Sequence, residues 1–324
     1  MNRKVFIGVD VGGTHLRSAL VDVSGKILEW RKAEIRIDLG ANAAFQKLLL
    51  QCEDLAKSAA NGGLQTEAVG LAVAGKIDKA GGRVIFSPNL RALDGYPLGC
   101  ELREKMGLPV YMENDANAFG LGENWAGAAR GIENWIGITL GTGVGGCLFL
   151  NGVLWEGDGL GFSGEVGHMV VEPGGPACLC GSNGCLEAFA SSRALVEGAA
   201  KIVSDGLTQG ALHDLWKEGR LSSESLFECA RGGDRTAGEL FRMMGWALGI
   251  ALSNLFTVLG IRHAVVGGGV SNAWEQFIGP LRTSLSRNIS MLDPNRTVIL
   301  RGSLGDAAAL IGAARLAYEA VSAA

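Results

Sequence analysis

Two stretches of this chain echo one another. Phe6-Ile-Gly-Val-Asp-Val-Gly12 and Trp135-Ile-Gly-Ile-Thr-Leu-Gly141 agree in the positions of Ile, the inner Gly and the closing Gly. Each is an apolar run of strand length that stops at a glycine turn. Each is followed by a second strand, Leu16–Val23 or Cys147–Leu150, and by a tight turn, Ser24-Gly25 or Asn151-Gly152. A duplicated strand–turn–strand unit at this separation predicts two similarly built α/β domains with a cleft between them. With 324 residues, the chain is long enough for about two such cores.

The remaining pattern fits that frame. A third strand is expected over Lys26–Arg31, a helix over Ala43–Ala60, strands over Ala68–Ala74 and Pro109–Met112, and a helix from Asp115 to Ala129. Long helices follow over Glu187–Val203, Thr236–Leu259 and Ala273–Asn288, with a strand at His263–Val266 between the last two, and helix Gly305–Ala320 ends the pattern. Met243–Ile261 is uncharged and long enough to tempt a membrane-span reading. Gly245, Gly249, Ser253, Asn254 and Thr257 dot it, and a helix buried in a soluble core is the expectation, with no membrane partner. Asp10 interrupts the first apolar run too early for a secretory signal. A net charge of −4 supplies no basic field, so a nucleic-acid partner is not expected.

Three glycine turns carry the first functional signal. Gly141-Thr-Gly-Val-Gly-Gly146 fits the literal G-x-G-x-x-G dinucleotide fingerprint, but that motif needs a helix next to aim its dipole at a pyrophosphate. Here a strand follows, which sets the dinucleotide reading aside. The turns Gly12-Gly13-Thr14 and Gly141-Thr142-Gly143 can instead cradle phosphate oxygens on backbone N–H groups, or be no more than tight hairpins. Asp10, at the end of its strand, could hold Mg²⁺ against a triphosphate or simply cap its turn. Gly267-Gly268-Gly269 leaves strand His263–Val266 and enters a helix. Backbone bare of side chains there would admit a flat adenine ring, or form an ordinary connecting loop.

The seven cysteines divide into two groups. Cys52, Cys100, Cys147 and Cys229 sit singly in apolar stretches and read as core residues. Cys178, Cys180 and Cys185 crowd a Gly/Pro-rich loop behind His168. One imidazole and three thiols suit a closed tetrahedral Zn²⁺ site, which shapes a loop rather than activating water. An odd cysteine total and a tight cluster favour metal over disulfides, and hence the cytoplasm.

Taken together, these residues resemble the ROK family of sugar kinases and repressors, and within it the bacterial glucokinase-like members. The resemblance runs through Gly8-Val-Asp-Val-Gly-Gly-Thr14, Glu113-Asn-Asp-Ala-Asn-Ala118, Leu140-Gly-Thr-Gly143, Gly164-Glu-Val-Gly-His168, Cys178-Leu-Cys-Gly-Ser-Asn-Gly-Cys-Leu-Glu187, Val266-Gly-Gly-Gly269 and Leu304–Ala314. It implies an actin-like ATPase fold whose C-terminal helix returns to the first domain. The expected division is residues 1–118 with 303–324, and 119–302 with the zinc loop 168–187. It implies ATP, Mg²⁺ and a structural Zn²⁺, a hexose substrate and a homodimer. Asp115 corresponds to the family's catalytic base. Gly75, Asn89, Asn114, Glu165, His168 and Glu187 correspond to sugar-binding positions, with His168 placing one ring nitrogen on zinc and the other toward a sugar hydroxyl. Gly268 and Gly269 join the nucleotide set. Two departures stand out: Ala74-Gly75 where many relatives have Pro-Gly, and His15 where Lys is frequent.

Phosphorylation of glucose to glucose 6-phosphate is therefore the expected activity. A kinase for an N-acylated hexosamine shares the same polar set and is the rival within enzymes. The family's sugar-responsive repressors carry an N-terminal helix-turn-helix module, and the first phosphate strand here already begins at Val5, which disfavours that class.

Overall fold

The computed structural model describes residues 3–87, 89–159, 161 and 163–323. In chain order the strands are Arg3–Val11 (β1), His15–Asp22 (β2), Ile27–Glu34 (β3), Leu64–Val73 (β4), Lys76–Asp78 (β5), Arg83–Phe86 (β6), Val110–Asn114 (β7), Trp135–Leu140 (β8), Val144–Leu150 (β9), Val153–Leu154 (β10), His263–Gly267 (β11) and Val298–Arg301 (β12). The α-helices are Ala41–Asn61 (α1), Leu98–Met106 (α2), Asp115–Ala126 (α3), Glu187–Ala190 (α4), Ser192–Ser204 (α5), Ala211–Lys217 (α6), Ser223–Arg231 (α7), Arg235–Leu259 (α8), Trp274–Asn288 (α9) and Ala308–Ala323 (α10).

The two five-stranded sheets have the orders β3-β2-β1-β4-β7 and β10-β9-β8-β11-β12. Counted from the first strand of each, both orders read 3-2-1-4-5, so the duplication in sequence is a duplication of topology. In both, the first strand is central and the third lies at an edge. In the first sheet β1 runs antiparallel to β2 and parallel to β4, which runs parallel to β7. In the second, β8, β11 and β12 are parallel and β10 is antiparallel to β9. Position decides composition: central β1 is buried through Val5–Val9, whereas every second residue of edge strand β3 is exposed.

By its contacts the chain forms two compact units, Met1–Glu133 with Leu148–Ser163 and Gly302–Ala324, and Asn134–Cys147 with Gly164–Arg301. In the first unit one sheet face carries Val5, Ile7, Val9 and Val11 against Phe45, Leu48, Cys52 and Leu55 of α1, spaced three and four residues apart as a helix face requires. The opposite face carries Phe6, Ala19 and Ala68 against Leu310, Ala314 and Ala317 of α10. That helix lies directly on the sheet backbone. A Cβ at Gly8 would overlap the carbonyl of Leu310, and one at Gly70 would overlap that of Ala313. The inner glycine of the repeated motif is thus a packing residue in its first copy.

The sequence-drawn boundary at 118/119 falls inside α3, and α3 remains whole. It crosses α10 so closely that a Cβ at Gly122 would overlap the carbonyl of Ala308, and one at Gly312 that of Ala118. The helix stops at Ala126, earlier than the expected Ala129. Gly127 is extended there, and Glu123 takes the N–H of Ala128 at 2.7 Å while its backbone carbonyl takes those of Gly127 and Ala129. The other carboxylate oxygen of Glu123 accepts from Leu304 N at 3.0 Å, so one buried acid ties the end of α3 to the approach to α10.

In the second unit α8 is capped by the Asp234 side chain at its start and by left-handed Gly260 at its end. Among the described residues it is the one helix long and apolar enough to cross a membrane, and half of its most apolar stretch is buried inside the protein. Gly245 and Gly249 let it lie against α9, where Cβ atoms would come within 2.5 Å of Phe277 O and 2.6 Å of Leu281 O. The expected helix Glu187–Val203 is two helices. Ser191 is extended, caps α5 through Ala194 N, and frees Ser192 N to donate to Gly141 O at 2.8 Å. Of the four cysteines read as core residues, Cys52 and Cys147 are buried, Cys100 is exposed and Cys229 lies between. Cys100 faces the turn carbonyl of Gly81 at 3.1 Å from the amphipathic α2, and that position is what an isolated apolar neighbourhood in sequence conceals.

Candidate active site

In the first unit β7 feeds straight into α3, and this junction carries the acidic motif. Asn114 is the helix cap: its Oδ1 accepts from Ala116 N at 2.8 Å and Asn117 N at 3.2 Å. Its Nδ2 donates to Gly75 O at 3.1 Å, so the same side chain pins the turn after β4. Because Asn114 does the capping, Asp115 stands at the first helical position with that task already filled. Gly75, at φ 113°, has no room for a Cβ beside Phe86 O and Ser87. Asn89 is exposed on the Ser87 turn, which Ser87 Oγ closes by accepting from Leu90 N at 3.1 Å. Its carbonyl lies 3.4 Å from where a Cβ of Gly13 would stand. The proposed sugar loop and the first glycine turn are therefore neighbours.

Asp10 and Arg17 face each other across the β1–β2 register and form an ion pair at 3.0 Å. Arg17 also reaches Asp306 at 3.5 Å. Burial pushes the Asp10 carboxyl up to about 6, Arg17 works against that rise, and the negative fields of Asp115 and Asp306 add to it. The influence of Asp115 on Asp10 brings the candidate base and the candidate metal-positioning carboxylate into one electrostatic neighbourhood. Gly12 donates its N–H to His15 O at 3.0 Å. Any phosphate contact from this turn thus falls to Gly13 and Thr14.

The second unit has a polar set of its own. Glu165 precedes a 3₁₀ turn, Val166–His168. His168 Nε2 lies 3.9 Å from Glu165 Oε2, while Nδ1 lies 3.8 Å from Cys178 Sγ. Burial raises the Glu165 pKa, with Glu187 adding to the rise and His168 opposing it. Glu187 is almost enclosed: Oε2 accepts from Val144 N at 2.9 Å and Oε1 from Arg193 Nη2 at 3.1 Å. A Cβ at Gly143 would come 2.5 Å from Glu187 Oε2, so the missing side chain in the β8–β9 turn makes way for this carboxylate. Gly141 N donates to Gly143 O at 3.0 Å, which leaves Thr142 and Gly143 as the N–H groups of this turn for a phosphate. Gly268, at φ 84°, packs on Leu140, whose N would lie 2.6 Å from an added Cβ. Nothing lies within 4 Å of such an atom at Gly269 or Gly141, so packing does not require glycine there and open space lies beside both.

His168, Cys178, Cys180 and Cys185 come together, with their ligand atoms all within 4.8 Å of one another. Cys180 Sγ and Cys185 Sγ are 3.7 Å apart, too far for a disulfide of about 2.05 Å. Zn–S bonds of about 2.3 Å at tetrahedral angles put sulfurs ~3.8 Å apart, and one Zn–S with one Zn–N bond gives ~3.6 Å. Both separations match, so these two pairs have the spacing of zinc ligands and the donor set has their chemistry. The loop is held by the bridges Val170 to Cys185 and Ala177 to Asn183, and Leu186 N donates to Met169 O at 2.9 Å. Glu187 follows two residues after the last cysteine and inherits that rigidity.

Three members of the site escaped the sequence reading. Arg17 and Arg193 are the partners of Asp10 and Glu187, and Glu113 is a buried carboxylate paired with Lys79. Strand alternation places Arg17 on the same face as Asp10 and could have found it. Lys79 lies 34 positions from Glu113, and no local spacing announces the pair.

With this geometry in view, residues 6–320 match the ROK family, and the chain belongs to it. It is 36% identical to the glucokinase of Thermotoga maritima, over 99% of this chain and 99% of that protein. The crystal structure of a ROK family glucokinase from Streptomyces griseus, in complex with glucose and AMPPNP, superposes with a TM-score of 0.81 at 34% identity over 97% of this chain and 99% of that one. A ROK hexokinase from Thermus thermophilus matches with a TM-score of 0.79 at 31% identity, over 99% of this chain and all of that one.

Proposed function

We propose that this protein is an ATP-dependent glucokinase, transferring the γ-phosphoryl group of ATP to glucose to give glucose 6-phosphate and ADP. The near full-length likeness to glucokinases, one of them holding glucose and an ATP analogue, carries this reading. Asp115 accepts the proton of the attacking sugar hydroxyl as its oxygen bonds to the γ-phosphorus and the bond to the ADP oxygen breaks. The Asn114 cap supports that role, because it fixes the helix start on which Asp115 stands.

Asn89, Asn114, Glu165, His168 and Glu187 bind sugar hydroxyls in this reading, and Gly75 keeps the turn pinned by Asn114 bare. Gly13, Thr14, Thr142 and Gly143 offer N–H groups to phosphates, Gly12 and Gly141 close the turns that present them, and Gly268 and Gly269 flank the base. Asp10 is the residue to position Mg²⁺, which when bound would neutralise the β- and γ-phosphates. His168 and the three cysteines hold a zinc that orders the loop carrying Glu187. A thiol-rich site and an ATP substrate both suit the cytoplasm.

The deciding experiment is Asp115→Asn, which keeps the shape and removes the base. Turnover should fall by about 10²–10⁴-fold, while the glucose Kd changes little, since an amide still hydrogen-bonds the hydroxyl. Near-normal turnover would assign the base elsewhere. A panel of glucose and N-acylated hexosamines, assayed with the unaltered protein, tests the sugar.

A further inference from the structure

Glu113, immediately before Asn114 and Asp115, carries a buried carboxylate. One oxygen, Oε1, accepts from Asn114 N at 2.9 Å and from Asn117 Nδ2 at 3.1 Å. The other, Oε2, accepts from Lys79 Nζ, which comes from the turn after β5. The Glu113 side chain is 2% exposed and that of Lys79 40%. Lys79 Nζ donates in addition to Glu156 Oε1 at 2.6 Å, on the segment after β10. Among the described residues Lys79 is the one cation hydrogen-bonded to Glu113, and a buried carboxylate left without its counter-charge either takes up a proton or turns toward water. Either response loosens its hold on Asn114 N and Asn117, the two residues on either side of the Asp115–Ala116 step.

We propose that Lys79 is a positioning residue for the phosphoryl transfer: by pairing with Glu113 and holding its side chain in place, it fixes the turn from β7 into α3 on which Asp115 sits. The proposal rests on Asp115 being the base. The attraction of Glu113 and Glu156 outweighs the effect of burial on Lys79 and raises its pKa, in keeping with a lysine that stays charged. Lys79 touches no reacting atom in this scheme; it acts through Glu113.

The test is a cycle of three variants on the full chain. Lys79→Met keeps length and removes charge, and kcat should fall about 10–100-fold because a small displacement of a reacting group is costly, with KM for MgATP within about twofold. Lys79→Arg should recover most of the loss. Adding Glu113→Gln to Lys79→Met should raise kcat again, since a neutral amide keeps an acceptor for Asn114 N and no longer needs a cation. Amide exchange at Asn114, Ala116 and Asn117 should be faster in Lys79→Met and return toward normal in the double variant. Unchanged kcat and unchanged exchange in Lys79→Met would overturn the proposal. So would a double variant no better than Lys79→Met; if Lys79→Met fails to fold, recovery or non-recovery of folding in the double variant decides in the same way. Asp115→Asn, run alongside, separates the two ideas: high turnover there removes the base, whereas unaltered exchange removes the positioning.

Discussion

The β1–β2 turn and the β8–β9 turn stand at the same place in two sheets of the same strand order, yet they are finished differently. The first follows Asp10, a carboxylate held between burial and Arg17. The second follows Thr139, the residue that aligns with Asp10 in the repeat, and carries no charge of its own. It receives one from outside, through Glu187, which bonds Val144 N and occupies the space where Gly143 lacks a side chain. Thr14 fills the aligned position in the first turn. A duplicated scaffold has thus diverged at single residues: one copy keeps its acid in the strand, while the other borrows it from a cysteine-bearing loop.

Replacing Asp10 gives the largest effect that can break this comparison. Asp10→Asn should lower kcat about 10²-fold or more, as expected for the loss of a preorganised electrostatic contact, yet stabilise the ligand-free fold. The sign follows from the raised pKa. In the unfolded chain Asp titrates near 3.9, and here at about 6, so ionisation opposes folding as pH climbs through that window. The penalty is complete above about pH 6 and amounts to on the order of 3 kcal/mol. Urea unfolding at pH 8 should therefore favour Asp10→Asn, and the advantage should vanish as pH falls toward 4. A variant less stable at pH 8 would show that Arg17 depends on Asp10 more than burial opposes it.

The second turn should respond to metal instead. Elemental analysis should find about one zinc per chain. Cys180→Ser should remove it and weaken glucose binding about 10–100-fold, the usual range for a group that orients a ligand from behind. Full glucose affinity in a zinc-free preparation would sever Glu187 from the cysteine loop. The smallest difference is between glycines. Gly143→Ala drives a methyl toward Glu187 Oε2 and should cost about 1–3 kcal/mol in thermal unfolding. Gly13→Ala, with Asn89 O at 3.4 Å, should stay within about 0.5 kcal/mol. Equal effects would mean that the two turns are braced alike.

The repeat, the start of α3 at Asp115 and the histidine–cysteine cluster were all legible in the sequence. Each is written in short spacings that backbone geometry or metal chemistry constrains directly. Less legible was the break at Ser191. Glu187–Val203 has the composition of one helix, and only the demand for Ser192 N at Gly141 O, 51 residues away by number, interrupts it. The boundary of the first unit was hidden for a similar reason, since α3 belongs with α10 through glycines that touch carbonyls of a helix near the other end of the chain.

By itself, then, the sequence determined the duplicated β-sheet units, the residue types at each turn and the four members of the histidine–cysteine cluster, because periodicity, glycine and ligand chemistry act over a few residues. Only the tertiary structure decided which polar groups are already engaged. It gave Asn114 the cap of α3, spent the N–H groups of Gly12 and Gly141 inside their turns, set Glu187 against Val144, and paired Glu113 with Lys79. These partnerships join residues distant in sequence. They are chosen by strand register, helix crossing and the free energy of leaving a buried charge unmatched, quantities that exist only once the chain has closed on itself.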